Sequence, residues 1–411
     1  MRGRSSLLAL TWLAFFMADV RDGLGPFLAT YLQENQVRQD LIGLTMTAGG
    51  LAAVAMTPFA GAWVDRSHAK RAMTVAGAIA VLSASALAFS TLSGTLLVAS
   101  QIVTGVAGAV LAAAMAALTL GLARSSGFKH QMGRNEAFSH GGNMVSAIGA
   151  GVVAHLFGAP WMLVVMASMT VGMLVFVLRI DPRDIDHEAA RGDEPNDPAP
   201  RPADAEGHSP IRALFRNRGL LLFGLTCALF HLGNAAMLPL LNQRLAATVA
   251  ESAPLLWTGI AIVIAQLTMI PVALWVSRSK RFDIAWFIYA AILVLPVRGL
   301  LAYGFTSEWN NVPVQVLDGI AAGILGVATP LMVQRYVQGT GRFNTALGFV
   351  MTLQGIGAAL SPGIANALVG RSQNFGLAFM ALAMAAVFAL PTFWLAQRNA
   401  GPATAASANR P

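Results

Sequence analysis

Charge is scarce in this chain: only 11% of its 411 residues are Asp, Glu, Lys or Arg, against about 25% in ordinary soluble domains. Cysteine is scarcer still. The single Cys227 sits inside an apolar run, which excludes a disulfide framework and a thiolate metal cluster. No His-Glu-x-x-His is present, no Gly-x-Ser-x-Gly stands in a suitable context, and no Gly-x-x-x-x-Gly-Lys-Ser/Thr loop occurs. These gaps argue against a membrane-embedded enzyme and against ATP coupling. No metal and no cofactor is expected.

What is present is apolar sequence: 56% of the residues are hydrophobic, more than a water-solvated core can use. A spanning helix needs roughly 20 mostly apolar residues. Segments of that kind fall near 6–32, 41–64, 71–92, 95–122, 134–158, 160–180, 218–245, 254–277, 283–304, 311–336, 342–370 and 374–397, twelve in all. The first resembles a secretory leader but runs on past Pro26 without a convincing cleavage site, so it reads as a spanning helix. The fold class expected is therefore an all-α membrane protein of twelve spans in a lipid bilayer.

The net charge of +8 does not point to nucleic acid, because the basic residues lie in short loops and form no continuous patch. With the N-terminus in the cytoplasm, 22 of the 27 Lys and Arg fall on the cytoplasmic side. That bias predicts both termini inside and an inner-membrane location. Residues 181–217, rich in Pro, Asp, Glu and Arg, predict a flexible cytoplasmic linker. It separates a half at 1–180 from a half at 218–398, and 399–411 reads as a disordered tail.

The two halves repeat one another. Pro26 and Pro239 are 213 residues apart, as are Pro58 and Pro271. Gln101-Ile102-Val103-Thr104-Gly105 matches Gln315-Val316-Leu317-Asp318-Gly319 at an offset of 214. Gly133-Arg134 matches Gly341-Arg342, and Ile148-Gly149-Ala150 matches Ile356-Gly357-Ala358, both at 208. Parallel repeats of this kind place a pseudo-twofold axis along the membrane normal and a substrate site near the midplane.

Between the second and third spans stands Gly61-Ala62-Trp63-Val64-Asp65-Arg66-Ser67-His68-Ala69-Lys70-Arg71. This resembles the signature loop of the major facilitator superfamily, through Gly61, Asp65, Arg66 and Lys70. His68 stands where that family has Gly, and Ala69 where it has a basic residue, with Arg71 as a substitute. The resemblance implies two six-helix bundles that carry a small-molecule substrate by alternating access. It also implies that Gly61 permits a tight helix crossing and that Asp65 and Arg66 gate, with Lys70 and Arg71 beside them. The plainer alternative is a cluster of charge that sets topology. Two family features are absent. Gln101 replaces the Arg of many proton-coupled exporters, and the fifth span lacks their Gly-Pro pair.

A charged side chain inside a span costs roughly 2.5–3.5 kcal/mol on insertion scales, so each one implies a function. Asp19, Arg21 and Asp22 fall near the middle of the first span. They are expected to bind a proton or substrate, or else to form a neutral structural cluster. His231 and Asn234 take the same depth in the seventh span, with His231 either titrating or serving as a neutral hydrogen-bonding group. Asp318 in the tenth span reads as a cavity residue, and Arg298 in the ninth either pairs structurally or snorkels outward. Gln101, Asn143, Gln266 and Gln354 are the expected uncharged lining, while Glu136 and His140 suit a gate. The Gly-rich stretches near 105–108 and 355–357 read as close helix packing.

The function expected is proton-coupled transport of a small organic solute by a monomer, export being favoured. Import of a nutrient or metal chelate is the alternative, as is a non-transporting sensor on the same scaffold.

Overall fold

The computed structural model describes residues 2–21, 24–191, 217–249, 251–279, 281–338 and 343–399. Among the described residues there is no strand. Asp22, most of the expected linker, nearly all of the tail, and the Gly341-Arg342 match lie outside them, as does the side chain of Asp19.

Residues contributing to the first half form α1 (Arg2–Val20), α2 (Gly25–Glu34), α3 (Gln39–Arg66), α4 (Lys70–Ala88), α5 (Gly94–Phe157) and α6 (Met162–Arg179). The second contributes α7 (Arg218–Asn234), α8 (Met237–Thr248), α9 (Pro254–Arg278), α10 (Ile284–Gly304), α11 (Asn311–Tyr336), α12 (Phe343–Ser372) and α13 (Phe375–Arg398). Among the described residues, ten helical stretches are long and apolar enough to cross a bilayer. The other two of the twelve are the first span, which is broken, and the part of α5 beyond Arg124, which carries more polar residues. Proline sits inside α3, α9, α10, α11, α12 and α13, as spanning helices tolerate when neighbours satisfy the freed carbonyls.

The first span is two helices, not the continuous 6–32 segment expected. α1 ends at Val20 and α2 begins at Gly25; Leu24 takes a left-handed φ of 58° and Pro26 stands in the first turn of α2. Proline at that position has no N–H to lose and a φ already set for the helix. The seventh span breaks in the same place, between Asn234 and Met237, with Pro239 in the first turn of α8. The long α5 is likewise two spans, because Arg124 has non-helical φ and ψ of 54° and 173°.

The chain packs as two compact units. In unit 1, α1 lies on α5 and α6, and α4 lies on α5 and α6. In unit 2, α7 lies on α12 and α13, and α10 lies on α11 and α13. Unit 1 also takes in the start of α9, 253–263, and unit 2 the start of α3, 38–43. Buried Phe223, Phe230, Leu295, Phe379 and Phe393 centre the core of unit 2. The outward faces stay apolar, with Phe59, Leu178 and Trp286 exposed, as a lipid-facing surface requires.

Glycine contacts carry the repeat into three dimensions. Gly105 of α5 lies against the backbone of Gly49 in α3, and Gly319 of α11 lies against Ala265 and Thr268 of α9. Gly142 of α5 packs on the Phe15 carbonyl of α1, and Gly357 of α12 packs on the Ala228 carbonyl of α7. The counterpart of Gly357 is thus Gly142, at an offset of 215 (357 − 142), and not Gly149 at 208. The Gly149 match is out of register, since a Cβ there would meet only Val165 at an ordinary 3.5 Å.

Two further expectations are corrected. Gly61 sits within α3, and a Cβ there would find nothing within 4 Å, so no tight crossing explains it. The linker does not begin at 181. Residues 181–191 pack on unit 1 with Ile185, Ala189 and Ala190 buried.

Candidate functional site

In unit 2 the break between α7 and α8 gathers the polar side chains. Arg298 of α10 is fully buried and lies 2.9 Å from Asp318 of α11. Asn234, at the end of α7, stands between them. Its Oδ1 accepts from Arg298 Nη1 at 2.5 Å, and its Nδ2 donates to Asp318 Oδ1 at 3.0 Å. Arg298 also donates to the Val314 carbonyl at 3.1 Å and to Gln315 Oε1 at 3.4 Å. Every charge here has an opposite charge and a fixed amide beside it, the condition under which a buried ion pair is tolerated. Arg298 therefore pairs inward and does not snorkel.

Beside this cluster a cavity of about 240 Å³ is bordered by Phe230, His231, Asn234, Thr329, Met351 and Gln354, with aliphatic groups between them. His231 Nδ1 lies 2.9 Å from the Cys227 carbonyl. A carbonyl can only accept, so Nδ1 carries a hydrogen, and in the neutral ring Nε2 is then the acceptor. The lining is amphipathic and, among the described residues, holds no Asp, Glu, Lys or Arg, while the ionic groups beside it compensate one another.

In unit 1 two cavities meet at Arg21. One of about 360 Å³ is bordered by Arg21, Gly49, Gln101, Thr104 and Gly105 among others. Gln101 and Thr104 are at least nine-tenths buried, and neither the amide nitrogen of the first nor the hydroxyl of the second has a bonding partner among the described residues. The second cavity, of about 230 Å³, runs from Arg21 past Met115, Thr119 and Asn135 to Glu136. Through Thr119 and Asn135 it adjoins an uncharged network: Gln131 Nε2 donates to Thr11 Oγ1 at 2.9 Å and to Asn135 Oδ1 at 2.8 Å, and Asn135 Nδ2 donates to Thr119 Oγ1 at 3.0 Å.

Of the residues expected to line a cavity, Gln101 and Gln354 do. Asn143 and Gln266 are half-buried and border none of these three. Sequence reasoning passes over Gln131, Asn135 and Thr329. Two amides four residues apart, within reach of one another on a helix face, were a usable signal for the first two. The signature residues divide. Asp65 and Arg66 are exposed at the end of α3, whereas Lys70 is buried with Nζ donating to the Ser67 carbonyl at 2.8 Å. Arg71 caps α6, donating to the Val177 and Leu178 carbonyls at 3.1 and 3.0 Å, where a cation also complements the helix dipole.

Two like-built units, each with a broken helix beside a cavity, suit a carrier. The sequence profile described as Major Facilitator Superfamily matches residues 7–362. The chain belongs to this superfamily. Two uncharacterized MFS-type transporters of Mycobacterium tuberculosis, from strains CDC 1551 / Oshkosh and H37Rv, are each 42% identical to it over 380 residues. That match covers 91% of this chain and 88% of theirs. The fold is also similar to that of the nucleoside transporter NupG, with a TM-score of 0.74 at 15% identity over 96% of this chain and 98% of NupG. A bacterial homolog of the human lysosomal transporter Spinster, in an inward-facing and unoccupied conformation, gives a TM-score of 0.70 at 15% identity over 97% and 98%. The protein is thus a multi-pass membrane transporter of the superfamily, not an enzyme. It has two six-helix bundles and a small-molecule substrate.

Proposed function

We propose that the chain is a proton-coupled secondary transporter that exports a small, amphipathic organic solute across the inner membrane, working as a monomer with both termini in the cytoplasm. The observation that carries this reading is the unequal distribution of charge along the cavities. In unit 2 the ionic side chains beside the cavity are spent on each other, which suits a solute held by an aromatic face, His231 Nε2 and Gln354. In unit 1 the break of the first span brings Arg21 to two cavities, with Asp19 and Asp22 close in sequence. A carboxyl at low dielectric binds a proton more readily than in water, so Asp19 and Asp22 are the proposed coupling groups. Asp65 and Arg66, exposed at the end of α3, are the proposed gate. The basic residues flanking the spans support the orientation.

Proteoliposomes test the reading, with ethidium and adenosine as probes and an imposed pH gradient of either sign. Export predicts that an acidic exterior drives outward movement, and that Asp19→Asn and Asp22→Asn together abolish the response to pH. Gradient-driven uptake would instead favour the importer reading. Binding without flux would favour a sensor, and pH-dependent flux that survives both substitutions would remove the coupling assignment.

A further inference from the structure

Residues 181–191 belong to neither a span nor the transport cavities, yet they are tied down along their whole length. Ser6 Oγ donates to Asp184 Oδ2 at 2.6 Å and accepts from the Asp181 N–H at 3.2 Å. The Asp186 N–H donates to the Gly121 carbonyl at 3.0 Å. The Asp186 carboxylate accepts the N–H groups of Glu188 and Ala189 at 3.1 and 3.0 Å, and lies 3.0 Å from Arg124. The His187 ring meets the His68 ring edge to face at 4.6 Å. His68 is the residue that replaces the Gly of the signature loop, so the departure from the motif and the docked segment meet in one contact.

Unit 2 explains why such a segment is needed. Arg335 ends α11 as Arg124 ends the first part of α5, 211 residues earlier (335 − 124). Arg335 takes both oxygens of Asp283 at 2.8 Å, and Asp283 immediately precedes α10. The equivalent place before α4, 214 residues earlier (283 − 69), holds Ala69. An alanine cannot supply the carboxylate, and in unit 1 Asp186 supplies it from beyond the last helix of the unit.

We propose that residues 181–191 are a clasp of unit 1 that governs the mobility of the signature loop. Docked, the clasp holds His68 through His187 and keeps Arg124 committed to Asp186, leaving Asp65 without that partner. Released, it frees both the loop and Arg124. The ion pair is exposed, with Arg124 at 66% and Asp186 at 30%, and exposed pairs are weak. Apolar burial and the approach to Gly121 hold the clasp instead. A Cβ at Gly121 would come within 2.9 Å of the Asp186 carbonyl and 3.0 Å of Ala190 Cβ, so a larger side chain there pushes the clasp off without altering its own sequence.

The test uses the full chain purified in detergent. Cys227 is buried, so introduced cysteines dominate the reaction with a maleimide. Ala190→Cys is expected to react about ten-fold more slowly than Glu188→Cys, whose side chain is exposed, because labelling of a buried thiol waits for local opening. Adding Gly121→Leu brings the two rates within about two-fold, whereas adding Asp186→Asn speeds Ala190→Cys by less than about three-fold. In the Gly121→Leu protein, amide exchange at 67–69 rises about five-fold. Equal rates for the two cysteines in the parent chain would overturn docking, with no dependence on how Gly121→Leu folds. Unchanged exchange at 67–69 once Ala190→Cys has become reactive would overturn the control of the loop.

Discussion

The two units share a scaffold and differ in how they accommodate polar groups. Unit 2 keeps charge inside and neutralises it on the spot, through Arg298, Asp318 and Asn234. Unit 1 has Thr104 where the repeat places Asp318 and Arg21 where it places Asn234, and its bonded polar network is one of amides and hydroxyls, Gln131, Asn135, Thr11 and Thr119. At the loop ends, unit 2 closes Arg335 with a neighbouring carboxylate, while unit 1 borrows one from beyond its last span. Backbone approach is what the repeat preserves: Gly142 on Phe15 and Gly357 on Ala228 recur, and the charges do not. Close packing of helices constrains both halves alike, whereas polar chemistry is free to diverge.

The sharpest way to break this comparison is to remove one member of the buried pair. Arg298→Met strands Asp318 and is expected to destabilise the protein by about 3–5 kcal/mol, as breaking a buried ion pair does. The double change Arg298→Met with Asp318→Leu is expected to recover most of that, read as melting temperature of the purified protein. If Arg298→Met alone were neutral, the pair would not be structural. No substitution in the uncharged network of unit 1 is expected to match its effect.

The glycine contacts should respond equally in both units. Gly142→Val and Gly357→Val each force a carbonyl and a new side chain apart, costing about 1–3 kcal/mol. Gly61→Ala and Gly149→Ala are expected to stay within about 0.5 kcal/mol of the parent. A large loss at Gly149 with none at Gly142 would restore the 208-residue register and undo the one described above.

The smallest difference lies at the loop ends. Burial works to raise the Asp283 carboxyl, but the bonds from Arg335 and from the Ala285 N–H outweigh it and hold the group below its ordinary 3.8. A depressed carboxylate contributes stability that is present above the unfolded value and is lost as pH falls through the folded one. Asp283→Asn is therefore expected to cost about 1 kcal/mol near neutral pH, and the gap from the parent should close below about pH 4. Arg124→Gln, which breaks the more exposed pair, should cost a few tenths of a kcal/mol. Melting curves of the three proteins at several pH values decide it, and a larger loss at Arg124 would reverse the ranking.

Much of this architecture can be read from the sequence, because span length and proline position are local properties. Pro26 and Pro239 mark the two broken helices, and the offset of 213 between them holds in the fold. Register was harder. Glycine is frequent in apolar helices, so Gly149 mimics a match that belongs to Gly142, and only the contact with Phe15 separates them. The site was legible in part. Charges at Arg21, His231 and Asp318 announce themselves by cost, but the pairing of Arg298 with Asp318 joins two successive spans and depends on which face each presents. Residues 181–191 read as linker by composition, although Ile185, Ala189 and Ala190 are buried beneath the polar positions.

The buried pair also bears on how the chain is made. Arg298 emerges from the ribosome 20 residues before Asp318 (318 − 298), so α10 reaches the insertion machinery with an unneutralised cation. Its most apolar 18-residue window, with a mean hydropathy of 2.0, gives the helix enough apolar residues to absorb a charge of roughly 2.5–3.5 kcal/mol until α11 follows. A less apolar α10 would stall there, or wait at the interface for its partner. The hydrophobicity of α10 thus serves the order of synthesis as well as the finished fold.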